Sequence, residues 1–150
     1  MNSMNHTRVP GLPSGQTSHT HPLRGLAVTG FVAALAAMVV TTFAAALAQA
    51  VGVDFEVPEG GEAIPLAGFA VVTGFFSVVG IVIAVALLRW SARPAERFVW
   101  TAVLLTVISL VPPLVSGANT ATTAYLIGLH LIAATVMIPT LARSLRTRTD

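Results

Sequence analysis

The chain has no cysteine and no lysine, and only 9% of its 150 residues are charged. The missing cysteine excludes disulfide stapling, thiolate metal sites and intramembrane dithiol chemistry, and it leaves the redox compartment open. The scarcity of charge excludes more. A soluble domain carries about a quarter charged residues, whereas this chain, 55% hydrophobic, lacks the polar surface to cover itself in water. With arginine supplying all the basic residues, and few of them, nucleic-acid binding is not indicated.

What the chain has instead is four charge-free apolar runs, at residues 26–48, 66–88, 98–118 and 121–142. Each is long enough to cross a hydrocarbon core of about 30 Å at about 1.5 Å per residue. A lipid-exposed backbone must satisfy its own hydrogen bonds, and these runs lack the alternation of a barrel strand, so helices are expected. The fold class is therefore an all-α membrane protein, a four-transmembrane-helix bundle over residues 25–146. Residues 1–24, rich in Pro, Gly, Ser, Thr, Asn and His, read as a disordered tail. His19 and His21 within it are expected to be solvated and to hold no metal.

The arginines give an orientation. Arg8 and Arg24 precede the first span, Arg89, Arg93 and Arg97 lie between the second and third, and Arg143, Arg146 and Arg148 follow the fourth in a basic tail, residues 143–150. The opposite side receives Asp54, Glu56, Glu59 and Glu62 in the loop 49–65, and "GANTATT" in the second loop. The positive-inside rule then places both termini in the cytoplasm of a multi-pass plasma-membrane protein, and Trp90 and Trp100 add an aromatic belt on the same side. The first span ends in "AAALAQA", a sequence a signal peptidase accepts, but it is longer than a signal h-region and follows a long polar tail, so its retention is expected.

In the first loop Val53, Phe55 and Val57 alternate with Asp54 and Glu56, which predicts a strand-like lip or a segment on the membrane surface with Phe55 facing lipid. The four carboxylates match no calcium-loop spacing, so a solvated loop is expected.

Membrane helices associate through close packing and interhelical hydrogen bonds, so small residues should line the contacts. Candidate seams are Ala33, Ala37, Thr41 and Ala45 in the first span; Thr73, Ser77, Gly80 and Ala84 in the second; Ala121, Gly128 and Thr135 in the fourth. In the third, Thr106, Ser109, Pro113 and Ser116 share one face. Pro112 and Pro113 lack N–H groups, so the carbonyls of Ile108 and Ser109 lose their helical partners and a kink is predicted.

His130 stands inside the apolar run "YLIGLHLIAATVMIP". Counting residues from the nearest arginine places Ser77, Ser109 and His130 at one depth, roughly 18 to 20 Å from the inner boundary. A candidate intramembrane polar cluster follows: His130, Ser109, Ser77, Ser116, Pro112 and Pro113. Two readings stand beside each other. Intramembrane ionisable groups are costly, which makes His130 a candidate ligand or base. Equally, a neutral imidazole can donate to a carbonyl freed by Pro112 or Pro113 and accept from Ser77 or Ser109, a purely structural role.

The remaining chemistry is limited. Only Tyr125 joins His130 as a titratable group within the spans, so a proton pathway is not expected. Met137 lies two turns away, too far to share a haem iron with His130. Serine hydrolysis lacks an orienting acid. No catalytic, cofactor-binding or metal-ligating residues and no cofactor are expected, and a non-enzymatic protein is preferred over an intramembrane enzyme. Expected partners are the lipid bilayer and either further copies of the chain or another membrane protein.

The segments "AIPLAG" and "SLVPPLVSGANTATTAYLIGLHLIAATVMIPTLAR", with Ser109, Pro112, Thr122, His130 and Pro139 as their most recognisable residues, resemble an actinobacterial group of small four-helix membrane proteins of unknown function. The resemblance spans roughly residues 25–146, and the lysine-free, alanine- and valine-rich composition suits a high-GC source. It implies the four-helix architecture and carries no activity. The function expected is that of a structural or interaction module of the cell envelope. The alternative is an intramembrane binding protein for a lipid, quinone or similar small hydrophobic ligand near His130.

Overall fold

A computed structural model describes residues 20–55 and 63–149. Of the tail read as disordered over residues 1–24, residues 1–19, with His19, lie outside them, as do Glu56, Val57, Glu59 and Glu62; the tail's last five residues, Thr20 to Arg24, instead form the first turns of α1. The elements are α1 (Thr20–Ala50), α2 (Leu66–Trp90), α3 (Pro94–Ser109), α4 (Val111–Val115) and α5 (Thr120–Arg146). Four helices are long and apolar enough to cross a membrane, α3 and α4 together forming the third. Neighbours run α1, α2, α3, α5 and back to α1; α2 and α5 also touch across the bundle, whereas α1 and α3 do not meet among the described residues. All the arginines among these residues lie toward one end, hereafter the arginine end, with Asp54 at the other.

The predicted break in the third span is real, and it forms where the two prolines are tolerated. α3 stops at Ser109, Leu110 makes a turn, and α4 restarts at Val111, placing Pro112 and Pro113 in a first turn, where a helix needs no N–H donors. Pro113 faces inward and is buried, while Val107, Ile108, Val111, Leu114 and Val115 are exposed around it.

Two apolar cores fill the bundle. At the arginine end Leu26, Ala33, Ala34 and Ala37 of α1 pack with Ala84, Phe98, Met137, Leu141 and Leu145, so all four spans contribute. At the Asp54 end Ala45 and Ala48 of α1, Val53 and Phe55 of the loop, Phe69 of α2 and Leu129 of α5 make a second core without α3 or α4. The α1 seam is as read from sequence: Ala33, Ala37, Thr41 and Ala45 are all buried. The α5 seam is not. Ala121 and Thr135 are exposed and a Cβ on Gly128 would meet nothing, because the buried stripe runs through Thr122, Leu129, Met137, Leu141 and Leu145. Large side chains, not small ones, define that stripe.

The loop after α1 corrects a second expectation. Gly52, at φ 93°, closes α1: its N–H donates to Gln49 O (3.0 Å) and the Val53 N–H to Ala48 O (3.0 Å), a Schellman ending that turns the chain back over the bundle. Phe55, in the left-handed region at φ 49°, then points inward rather than to lipid. It is fully buried, with its ring edge-on to Phe69 at 5.0 Å between centroids. The alternation itself holds, since Val53 and Phe55 are buried and Asp54 is exposed.

Candidate functional site

Register between the helices decides which polar groups can meet, and glycine contacts fix it. A Cβ on Gly30 would stand 2.7 Å from Ile81 Cγ1 and 3.2 Å from Leu141 Cδ2, so these three residues are level. A Cβ on Gly74 would meet Met38 Sδ at 3.0 Å, continuing the α1–α2 register. At the arginine end the Arg148 guanidinium lies over Gly25, with Nη1 2.8 Å from a Cβ there, while its Nε donates to Ser144 Oγ at 3.2 Å. Arg148, expected in a free tail, thus covers the start of α1.

From Gly30 and Leu141, the same count of eleven residues toward the Asp54 end reaches Thr41 on α1 and His130 on α5. Eleven residues is close to three turns, so both keep the azimuth at which Gly30 and Leu141 face each other. By this count Thr41 and His130 fall at the same level of the bundle, on the sides of α1 and α5 that carry Gly30 and Leu141. Ala45 and Leu126, one turn further on, both belong to the core at the Asp54 end.

The chemistry of this pair is complementary. His130 Nδ1 lies 2.8 Å from Leu126 O in the preceding turn. A carbonyl only accepts, so in a neutral ring Nδ1 carries the proton and Nε2 is left as an acceptor. Thr41 Oγ1 is buried, its residue 3% exposed, and has no hydrogen-bond partner. The bundle thus holds a buried hydroxyl donor without a partner at the level of a ring whose Nε2 can accept. Thr42 Oγ1 on α1 and Thr122 Oγ1 on α5 are likewise buried and unpartnered.

The six residues grouped from sequence are placed differently. His130 is half-buried and bonds within its own helix, not to a carbonyl near the prolines. Ser109 Oγ donates to Thr106 O at 2.7 Å, and Ser116 Oγ donates to Pro113 O at 2.9 Å, each also local. Ser77 is buried, but it lies one turn from the level of Ile81, whereas His130 lies three turns from the same level, so the two are about 10 Å apart along the bundle. Of the prolines, Pro113 is buried and Pro112 exposed. Thr41, a packing residue by its spacing, is buried as that spacing implies, but its hydroxyl has no partner. The signal was present: it is the one hydroxyl in an otherwise alanine seam.

Four helices long and apolar enough to cross a membrane make this a multi-pass helical membrane protein. The chain belongs to the family of unknown function DUF6069, whose model matches residues 21–147. Neither a curated protein nor a solved structure matches it.

Proposed function

We propose that the protein is a non-enzymatic module of the plasma membrane, a structural or interaction component of the cell envelope, with both termini cytoplasmic. The observation that carries this reading is the buried Thr41 hydroxyl, unpartnered at the level of His130. It supplies one polar contact between α1 and α5 at the boundary of two apolar cores, where apolar packing alone distinguishes helix registers weakly. On this reading one bridging water accepts from the Thr41 hydroxyl and donates to His130 Nε2, and so specifies a single bundle geometry. The four charge-free runs carry no carboxylate to pair with the histidine in acid–base chemistry. Partners on this reading are lipid, a second copy of the chain or another membrane protein. Native mass spectrometry of the protein extracted in native lipid particles tests it. The expected species are the polypeptide, alone or in multiples, with phospholipid only; a stoichiometric non-lipid small molecule overturns it.

A second reading is favoured by the same unpartnered hydroxyl. A quinone or other carbonyl-bearing hydrophobic ligand would accept from Thr41 Oγ1 beside His130. On that reading wild-type protein retains such a ligand and His130→Ala loses it.

A further inference from the structure

At the arginine end the turn between α2 and α3 lies beside the last turns of α5, and an open cleft of about 460 Å³ separates them. Its charged walls are Arg93, Glu96 and Arg146, with Trp100 and Val99 as apolar lining and Thr149 supplying a hydroxyl. A second open cleft of about 450 Å³ shares Arg93, Glu96 and Trp100 and adds Arg97, so Trp100 borders both.

The charge balance favours an anion. Arg93 and Glu96 form an exposed ion pair at 3.5 Å, a contact that holds little energy. Arg97 and Arg146 have no carboxylate partner among the described residues. Arg93 also occupies the cap of α3, where no side chain caps the helix, so the first-turn amides add partial positive charge. Among the described residues, three guanidinium groups against one carboxylate leave a net positive site.

The apolar surroundings say which anion. Trp100 is 72% exposed, at the depth where indoles mark the headgroup region, and the exposed residues Val103, Leu104, Val107, Ile108 and Val111 continue along α3 and α4 away from it. A soluble phosphate would use the guanidinium groups and leave that flank unexplained. A glycerophospholipid uses both, with its phosphodiester between the arginines and its acyl chains along the flank.

We propose that this cleft is a binding site for the phosphodiester headgroup of an anionic glycerophospholipid, held by Arg93 and Arg146 with Trp100 at the glycerol level. Arg97 holds the same headgroup from the adjoining cleft. The site needs only a bilayer and is independent of the role of Thr41 and His130.

The test uses the full chain in phosphatidylcholine vesicles, in two single-tryptophan forms, Trp90→Phe and Trp100→Phe. Each is titrated with lipid brominated in its acyl chains, either phosphatidylglycerol or phosphatidylcholine. Trp100 fluorescence is expected to be quenched by the phosphatidylglycerol at least about threefold more efficiently than by the phosphatidylcholine, as two nearby arginines would produce. Trp90, which borders neither cleft, should show a ratio near unity. Arg93→Gln with Arg146→Gln should bring the Trp100 ratio close to unity while leaving quenching by brominated phosphatidylcholine unchanged, which reports intact insertion. Equal quenching of Trp100 by both lipids, or an undiminished preference in the double variant, overturns the site. Loss of the preference on adding millimolar glycerol phosphate assigns the cleft to a soluble phosphate and overturns it as well.

Discussion

Gly30 and Ile81 approach so closely that a Cβ on the glycine would stand 2.7 Å from Ile81 Cγ1. Leu141 closes the same point from α5, so one glycine brings three helices to a common level. Everything said about which polar groups face each other rests on that level.

Gly30→Ala should therefore destabilise the bundle by about 1 to 3 kcal/mol through overpacking. Ile81→Val, which removes the atom beyond the crowded carbon, should recover part of the loss when combined with it. Thermal unfolding in one detergent, followed by circular dichroism, measures both. Gly80→Ala is the control, since a Cβ there meets nothing within 4 Å.

Phe55 holds the loop over the Asp54 end. Phe55→Ala should cost about 3 to 5 kcal/mol, including its edge-to-face contact with Phe69. Val51→Ala, at a position 72% exposed, should change stability little. Loop proteolysis offers an independent readout, with Phe55→Ala cleaved faster than wild type.

The start of α5 depends on Asn119, whose Oδ1 accepts from the Thr122 N–H at 2.8 Å. Asn119→Ala should lose about 1 kcal/mol, and Asn119→Asp, which keeps the acceptor, should lose much less. Denaturant midpoints of the two variants against wild type give the comparison.

Much of the architecture was legible in the sequence because lipid imposes it. Four charge-free runs of spanning length leave helices as the solution, and the α1 seam of Ala33, Ala37, Thr41 and Ala45 is buried as its spacing implied. The double proline likewise announced the break at Leu110. Depth was less legible. Arginines were used as a common ruler, but their long side chains reach the interface from Cα positions at different heights. That ruler put Ser77 level with His130, whereas the Gly30 contacts separate them by two turns. Phe55 was misread for a different reason: its inward turn depends on a left-handed backbone at a non-glycine residue, which alternation alone does not signal.

Orientation has a direct test, since the chain has no native cysteine. Asp54 and Ala92 are both exposed, at opposite ends of the bundle. With both termini cytoplasmic, an impermeant thiol reagent should label Asp54→Cys in intact cells and Ala92→Cys only after permeabilisation. The reverse pattern would invert the protein.

Coupling between Thr41 and His130 across the α1–α5 contact can be measured directly. A double-mutant cycle of Thr41→Val and His130→Ala, read by reversible unfolding in bilayer-mimicking micelles, measures that coupling alone. A favourable interaction of about 0.6 kcal/mol is expected, the scale found for hydrogen bonds between membrane helices. Strictly additive losses from the two substitutions would contradict it.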